Sequence, residues 1–282
     1  MPTQPPLFIV GAPRSGNTLT RRVLLASGQI YIPPETYVIG EILSHWRKWG
    51  KLDWQEKVWL FCAYFDRHPH FEDLEVESLS PFSERACALE GGDRTIHNII
   101  DLFYGFMANA HGFTDSRWGD KTPWNTVYLK DIVKAYPNAY YLYLKRDGRD
   151  VVASQIKSDM RDFDQSVQRW VDANASCRKH LKRASRTPLE IAYEDLVRDP
   201  EAIFKRIFEW ADLTFEASHL TKIPERLGDV GRHEHHAAVT RPITASSIGK
   251  WTQSLSPEAF QNTSAEFGKM MHTLGYDFEQ AV

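Results

Sequence analysis

Residues 11–18, Gly-Ala-Pro-Arg-Ser-Gly-Asn-Thr, have the spacing of a loop that binds a phosphate-like anion. A short apolar run at 7–10 precedes the loop, and Leu19, Val23 and Ala26 follow it at helical spacing. In a strand-loop-helix unit of this kind, backbone N–H groups and the positive end of the helix dipole point at a bound anion. The segment is therefore a candidate anion site, although a glycine-rich turn that only closes a strand has the same spacing.

One residue of this loop argues against a nucleoside triphosphatase. Asn17 stands where such enzymes carry the Lys that reaches the β- and γ-phosphates, and the cation of the loop is instead Arg14. A triphosphate with magnesium is thus disfavoured. Two other classes stay open at this point: a P-loop kinase or NTPase with an altered loop, and a catalytically silent nucleotide-binding or scaffold protein.

A second basic loop, at 145–150, follows the apolar run 139–144. We expect that run to be an interior strand, and Asp150 is placed to cap a helix that begins directly after it. Arg146 offers a two-pronged donor to phosphate, and Ser154 adds a hydroxyl in the first turn of the predicted helix. The sequence therefore predicts a second anion site, separate from the first.

The elements that must position these loops alternate along the chain. Helical spacing of apolar residues around 127–136 and 167–174 alternates with strand-like runs at 139–144 and 189–193, and Pro200 fits the first turn of another helix. Such alternation predicts an α/β fold, a P-loop-type open parallel β-sheet flanked by helices, in which ligands bind at the carboxyl ends of the strands. Both basic loops then share one edge of the sheet.

The stretch from about 46 to 112 interrupts this rhythm. Its pattern is helical but irregular, and it is rich in Trp, Phe and Tyr. We interpret it as a helical insertion within a single domain spanning 1–282, and we expect its aromatic rings to belong to the core more than to an acceptor pocket.

The composition limits the kinds of partner that we expect. The chain has 282 residues, 42% of them hydrophobic and 25% charged, with a net charge of -3, which is typical of a globular protein without a general attraction to nucleic acid or anionic membranes. Three separated cysteines form no C-x-x-C pair, and no signal peptide or membrane-spanning run is present, so we expect a cytoplasmic protein, or alternatively the soluble catalytic fragment of a membrane-anchored enzyme. The oligomeric state is left open.

The two loops resemble the signature segments of sulfotransferases that use 3′-phosphoadenosine 5′-phosphosulfate (PAPS). Residues 11–19 are similar to the family's 5′-phosphosulfate loop, and 146–154 to its 3′-phosphate motif, whose first Arg and final Ser are here Arg146 and Ser154. PAPS carries two separated anionic groups, whereas ATP has no 3′-phosphate. The resemblance therefore implies PAPS as the donor, 3′,5′-adenosine bisphosphate as the product, and transfer of a sulfuryl group to a hydroxyl acceptor.

Three shorter segments extend the resemblance. Tyr193 begins a Tyr-Glu-Asp-Leu segment like the one beside the adenine, Lys121 lies in a Gly-Asp-Lys-Thr-Pro segment like one from the active site, and 247–251 is similar to the loop that closes over the donor. The resemblance implies a donor site made of Arg14, Ser15, Gly16, Asn17, Thr18, Leu19, Arg146, Ser154, Tyr193, Ser247, Gly249 and Lys250.

The tyrosylprotein sulfotransferase branch and its bacterial relatives are the most similar in pattern, because Glu-Thr follows the first helix there and stands at 35–36 here. The resemblance implies that Glu35 is the catalytic base, while Lys121 and Arg14 offset charge on the sulfuryl oxygens and the leaving 5′-phosphate. His45 and His97 are weaker candidates for the base.

One departure from that branch concerns the acceptor. The branch has a Ser two residues before the closing Trp, and Gly249 stands there, so Ser246 or Ser247 is left to take the role. We therefore leave the acceptor open among a carbohydrate, a phenol, a peptide tyrosine and a small metabolite. No metal is expected, since the His-Glu-His-His cluster at 233–236 lacks helical ligand spacing and fits a solvated or substrate-rim position.

Overall fold

A computed structural model describes residues 4–114, 116–224, 241–261 and 263–276. Within these residues the strands are β1 (Leu7–Gly11), β2 (Ile30–Tyr31), β3 (Arg117–Asp120), β4 (Tyr140–Lys145) and β5 (Leu189–Ala192). They form one parallel sheet in the order β2-β3-β1-β4-β5. The predicted α/β fold with an open parallel sheet is confirmed.

Helices flank the sheet, and helices also make up most of the segment between β2 and β3. In the described residues the α-helices are α1 (Asn17–Ala26), α2 (Ile39–His45), α3 (Trp54–Asp66), α4 (Ser80–Cys87), α5 (Ile96–Ala110), α6 (Leu129–Ala135), α7 (Gly148–Lys157), α8 (Phe163–His180), α9 (Tyr193–Arg198), α10 (Pro200–Trp210), α11 (Pro257–Gln261) and α12 (Ala265–Thr273). Short 3-10 turns include Pro123–Thr126, Ala245–Ser247 and Lys250–Gln253. The stretch 46–112 is helical, as its pattern predicts.

The aromatic residues of that stretch are divided between the core and the surface. Trp49, Phe61 and Phe65 are buried in the same hydrophobic cluster as the strands, whereas Trp59 is 55% exposed. Most of these rings therefore contribute to packing, as expected.

The register of the sheet explains why the two basic loops meet. β1 is central and buried along its whole length, and it pairs with β4 from Leu7↔Tyr140 to Gly11↔Leu144. Because parallel strands in this register end at the same level, the chain leaves β1 and β4 side by side at the carboxyl edge.

The start of α7 corrects one prediction. The helix begins at Gly148, and its N-cap is Asp147, whose Oδ1 accepts from the Arg149 N–H at 2.8 Å, so the prediction that Asp150 is the cap was wrong. Gly148, the first residue of the helix, has no room for a side chain, because a Cβ there would lie 2.8 Å from the ring of Phe267. Ser154 consequently lies in the second turn of α7, not the first.

Candidate active site

The loop between β1 and α1 is held in an unusual backbone conformation. Arg14 has a φ of 68° and Gly16 a φ of 89°, both in the left-handed region. A Cβ on Gly16 would lie 2.7 Å from Cδ2 of Tyr193, so only glycine fits there. Nδ2 of Asn17 donates to the carbonyl of Ala12 at 2.9 Å and closes the loop.

Buried polar atoms at this loop lack protein partners. Within the described part of the chain, Oγ of Ser15 and Nε of Arg146 are buried without a hydrogen bond. Such groups are costly unless something satisfies them, and both can donate to an anion. The residues present therefore fit a bound phosphate or sulfate ester.

Side chains from the two basic loops are in direct contact. Nε of Arg14 donates to Oγ of Ser154 at 2.9 Å, and Nη1 of Arg146 donates to the carbonyl of Arg14 at 2.7 Å. Burial lowers the pKa of Arg14, and repulsion from Arg146 lowers it further. The two predicted anion sites therefore lie next to each other, in contact through Arg14 and Ser154.

Arg146 also links the loop at 146–150 to two other predicted donor residues. Its guanidinium lies 4.2 Å from the ring centroid of Tyr193, and its Nη2 donates to the carbonyl of Ser247 at 2.8 Å. The hydroxyls of Tyr193 and Ser247 are 2.6 Å apart. One arginine thus touches both the predicted adenine-side tyrosine and the predicted closing loop.

Asp150 does not cap α7; its carboxylate instead binds the backbone of segment 247–251. Its Oδ2 accepts from the Gly249 N–H at 2.8 Å and its Oδ1 from the Trp251 N–H at 3.0 Å. Trp251 is buried, and Lys250 lies between these two anchored residues with an exposed side chain. The carboxylate therefore holds the segment that carries Ser247 and Lys250.

Glu35 and Lys121 form an ion pair at the neighbouring strand ends. Lys121 Nζ donates to Glu35 Oε1 at 2.6 Å, and the Lys side chain is wholly buried while that of Glu35 is 15% exposed. Pairing of β2 with β3 brings the two segments together, because Glu35 follows β2 and Lys121 follows β3. The two predicted catalytic residues are in contact.

A cavity of about 510 Å³ connects these groups. The predicted residues on its lining are Arg14, Gly16, Asn17, Thr18, Leu19, Glu35, Arg146, Tyr193, Ser246, Ser247 and Lys250. Those behind the lining, one residue or one hydrogen bond away, are Ser15, Lys121, Ser154 and Gly249. Of the described histidines, His45 contacts Tyr64 and His97 the carbonyl of Ala135, and neither is on the lining.

The cavity has a second half that the sequence motifs do not indicate. It is lined by Tyr37, His70, Trp124, Met160, Arg161 and Arg169. Tyr37 has a φ of 53°, and its ring packs against those of both His68 and His70, with centroids 4.7 Å and 4.9 Å away. These residues come from separate loops and helices, so no local pattern groups them.

Arg169 is the member of this half for which the sequence does hold a signal. It interrupts the apolar face of α8 beside Trp170, and a cation there needs partners. Its Nη2 donates to the carbonyl of Pro123 and to Oγ1 of Thr126, and burial, followed by repulsion from Arg161, lowers its pKa to about 10.

Other expectations stay predictions. The residues that the structure describes hold no group of three or more His, Cys, Asp or Glu side chains able to bind a metal, and the cluster at 233–236 lies outside them. No described helix is both long and apolar enough to cross a bilayer. Cellular location and oligomeric state follow from neither observation.

The fold and the loop after β1 define an α/β protein of the P-loop type. The model of the sulfotransferase family matches residues 5–217, which is most of the chain. The chain therefore belongs to the sulfotransferase family, and it is a sulfotransferase.

The chain is similar to named members along nearly its whole length. It is 29% identical to protein-tyrosine sulfotransferase A of Caenorhabditis elegans over 294 residues, which cover 98% of this chain and 68% of that protein. It is 25% identical to the protein-tyrosine sulfotransferase of Drosophila melanogaster over 292 residues, covering 97% of this chain and 52% of that protein. This chain thus spans only part of both relatives.

Solved structures share the fold. The sulfotransferase domain from the olefin synthase of Synechococcus PCC 7002 matches with a TM-score of 0.67 at 23% identity, over 97% of this chain and 95% of that one. The sulfotransferase domain from the curacin biosynthetic pathway matches with a TM-score of 0.61 at 20% identity, over 97% and 99%. At this identity the likeness concerns the architecture.

Proposed function

We propose that this sulfotransferase takes its sulfuryl group from PAPS and transfers it to a hydroxyl acceptor by in-line displacement, with Glu35 as the general base. The observation that carries the proposal is the Glu35–Lys121 ion pair of 2.6 Å at the cavity that Arg14 and Arg146 also line. Glu35 and the candidate donor residues thus line one cavity, and Lys121 lies directly behind Glu35.

The donor assignment is supported by the polar atoms at the two basic loops. Ser15 and the backbone N–H groups of the loop are suited to the 5′-phosphosulfate, and Arg146 with Ser154 to the 3′-phosphate. Tyr193, beside Arg146, offers a ring to the adenine. The donor supplies an activated sulfuryl group, and the product is 3′,5′-adenosine bisphosphate.

In the proposed reaction, Glu35 accepts the proton of the acceptor hydroxyl as the acceptor oxygen bonds to sulfur. The bond between sulfur and the phosphate oxygen breaks in the same displacement, and its electron pair goes to the 5′-phosphate. Lys121 and Arg14 offset the charge that develops on the sulfuryl oxygens and the leaving oxygen. Positioning and electrostatics supply the rate, since no covalent intermediate with the protein is involved.

The acceptor is proposed only by class. A hydroxyl is required, and it can belong to a carbohydrate, a phenol, a peptide tyrosine or a small metabolite. Gly249 separates this chain from the tyrosylprotein pattern, and we assign the role of the missing serine to Ser247, because its hydroxyl lies 2.6 Å from that of Tyr193. Ser246 instead bonds to the hydroxyl of Thr244.

The test is transfer of radiolabelled sulfate from PAPS to acceptor libraries of these four kinds, followed by mass spectrometry of the labelled products. We expect label on a hydroxyl of one class and stoichiometric release of 3′,5′-adenosine bisphosphate. If the same libraries are phosphorylated by ATP with magnesium and no sulfuryl group is transferred from PAPS, the result favours a P-loop kinase and refutes the proposal.

A further inference from the structure

Asp120, at the carboxyl end of β3, is a wholly buried carboxylate that joins three different segments. Its Oδ2 accepts from Oη of Tyr104 at 2.6 Å and from Oγ1 of Thr36 at 2.7 Å, and its Oδ1 accepts from Nδ2 of Asn125 at 2.5 Å. All three donors are themselves buried, so the bonds are shielded from water.

Two of these residues are next to the proposed catalytic pair in the sequence. Thr36 follows Glu35, and Asp120 precedes Lys121. The bond from Thr36 to Asp120 therefore runs beside the ion pair between Glu35 and Lys121. A third bond, from the Thr36 N–H to Oγ1 of Thr122 at 3.0 Å, ties the same two segments.

These side-chain hydrogen bonds hold the two segments together where the backbone pairing of the sheet has ended. The pairing of β2 with β3 ends at Tyr31↔Trp118, so Glu35 lies beyond the last paired residue of β2. Pro33 and Pro34 have no N–H and cannot extend the ladder toward Glu35. Without Thr36 the segment carrying Glu35 would keep only part of its attachment to the end of β3.

We infer that Thr36 and Asp120 are positioning residues for the Glu35–Lys121 pair. Asp120 fixes the Thr36 hydroxyl, and Thr36 in turn fixes the backbone from which the Glu35 carboxylate reaches the cavity. The inference rests on the proposed role of Glu35 as base. Neither residue lines the cavity, so neither touches the donor or the acceptor.

Tyr104 provides a matched control. It donates to the same oxygen of Asp120, but it comes from α5, where its ring stacks on Trp118 with centroids 4.1 Å apart. Removing its hydroxyl removes a hydrogen bond of the same kind to the same acceptor. It leaves the segment carrying Glu35 attached, so it separates loss of position from general loss of stability.

The experiment compares Thr36→Val, Thr36→Ser and Tyr104→Phe in the intact chain. We expect Thr36→Val to lower kcat by about 10- to 100-fold, because a small displacement of a reacting group has effects of that size. Affinity for 3′,5′-adenosine bisphosphate should stay within about twofold, since the donor site is elsewhere. Thr36→Ser keeps the hydroxyl and should restore kcat, and Tyr104→Phe should keep it within about threefold.

A wild-type kcat for Thr36→Val would overturn the inference, as would an equal fall in kcat for Tyr104→Phe or a parallel loss of bisphosphate affinity. Melting temperatures accompany each variant, and Thr36→Ala removes the same hydroxyl with less crowding if the valine variant does not fold. A wild-type protein that transfers nothing from PAPS refutes the proposed function and this inference with it. An active wild type with an unaffected Thr36→Val refutes the inference alone.

Discussion

Lys121 has no exposed surface, and its ammonium donates to Glu35, which is only partly exposed. Removing one partner of such a pair leaves the other as a buried charge, which is unfavourable. Each side chain therefore constrains the position of the other. A test of either residue has to preserve shape while it removes charge.

Glu35→Gln meets that condition. We expect donor binding to be retained and turnover to fall at least roughly 100-fold, because the amide cannot accept the acceptor's proton. Steady-state turnover with PAPS, together with a bisphosphate titration, measures both. Glu41→Gln on α2 is the control, since Glu41 is off the cavity lining and should leave turnover near wild type. Normal turnover in Glu35→Gln would remove this residue from the role of base.

Arg146→Ala tests the 3′-phosphate assignment. The preference for 3′,5′-adenosine bisphosphate over 5′-AMP should collapse, because a bidentate donor to phosphate is lost. Calorimetric affinities for the two nucleotides give the ratio. Lys157→Ala, at the exposed C-terminal end of α7, should leave that ratio unchanged. If Arg146→Ala also leaves the affinity ratio unchanged, Arg146 does not bind the 3′-phosphate.

At the scale of elements, the closing segment 247–251 depends on α7. Two backbone N–H groups of the segment donate to Asp150, and burial raises the pKa of this carboxyl despite the nearby Arg146. Hydrogen bonds to a charged acceptor are worth about 1.5–3 kcal/mol each, so this single side chain has a large effect on the loop.

Asp150→Ala should therefore weaken bisphosphate binding by about tenfold or more. The kcat at saturating PAPS should change much less, because segment 247–251 is proposed to contact the donor and not Glu35. The measurement is a Kd from calorimetry beside a kcat from turnover. Asp172→Ala, on the exposed face of α8, serves as the control. A fall in kcat with an unchanged Kd would contradict this role for the loop.

Local patterns predict the elements well because their causes are local. The strand at 7–10, the helix face around 167–174 and Pro200 at a helix start are all where the sequence indicates. The start of α7 was mispredicted because Asp147 and Asp150 are both good N-cap residues, and the first residue of the helix, Gly148, packs closely against Phe267, more than a hundred residues away. Sequence spacing carries no information on that contact.

The site residues also fall into those that local motifs indicate and those that only the fold brings together. Motifs single out Arg14, Glu35 and Lys121 as candidates, but the contact between Glu35 and Lys121 depends on the pairing of β2 with β3. The half of the cavity with Tyr37 and Arg169 is assembled from distant segments, and no motif spans it. The sequence could therefore predict many of the residues on the lining, but not the shape of the cavity that they form with the others.

At the scale of the molecule, a partly buried carboxylate, that of Asp101, makes stability depend on pH. Burial raises the pKa of Asp101, although the Trp118 indole N–H donates to it at 2.9 Å. The folded state then binds the proton more tightly than the unfolded chain does. The contribution of Asp101 to stability is present below its unfolded pKa and is lost as pH rises through its folded pKa.

Asp101→Asn keeps an oxygen for the Trp118 bond and removes the titration. We expect the stability of the variant relative to wild type to be greater at about pH 7 than at about pH 4, because only the wild type loses stability as the Asp101 carboxyl ionises. Urea unfolding at the two pH values measures the difference. A difference independent of pH would contradict the role of Asp101.

The architecture as a whole brings the two candidate anion-binding loops and the acidic side chain of Glu35 to one edge of one sheet. The central claim is that this edge holds a nucleotide with a separate 3′-phosphate. It is tested most directly by a thermal-shift titration of the wild-type protein with 3′,5′-adenosine bisphosphate and, in parallel, with ATP and magnesium. The account predicts a stabilisation of about 2.7 kcal/mol at 100 times the Kd of the bisphosphate and little from ATP with magnesium. Stabilisation by ATP with magnesium, or none by the bisphosphate, would contradict it.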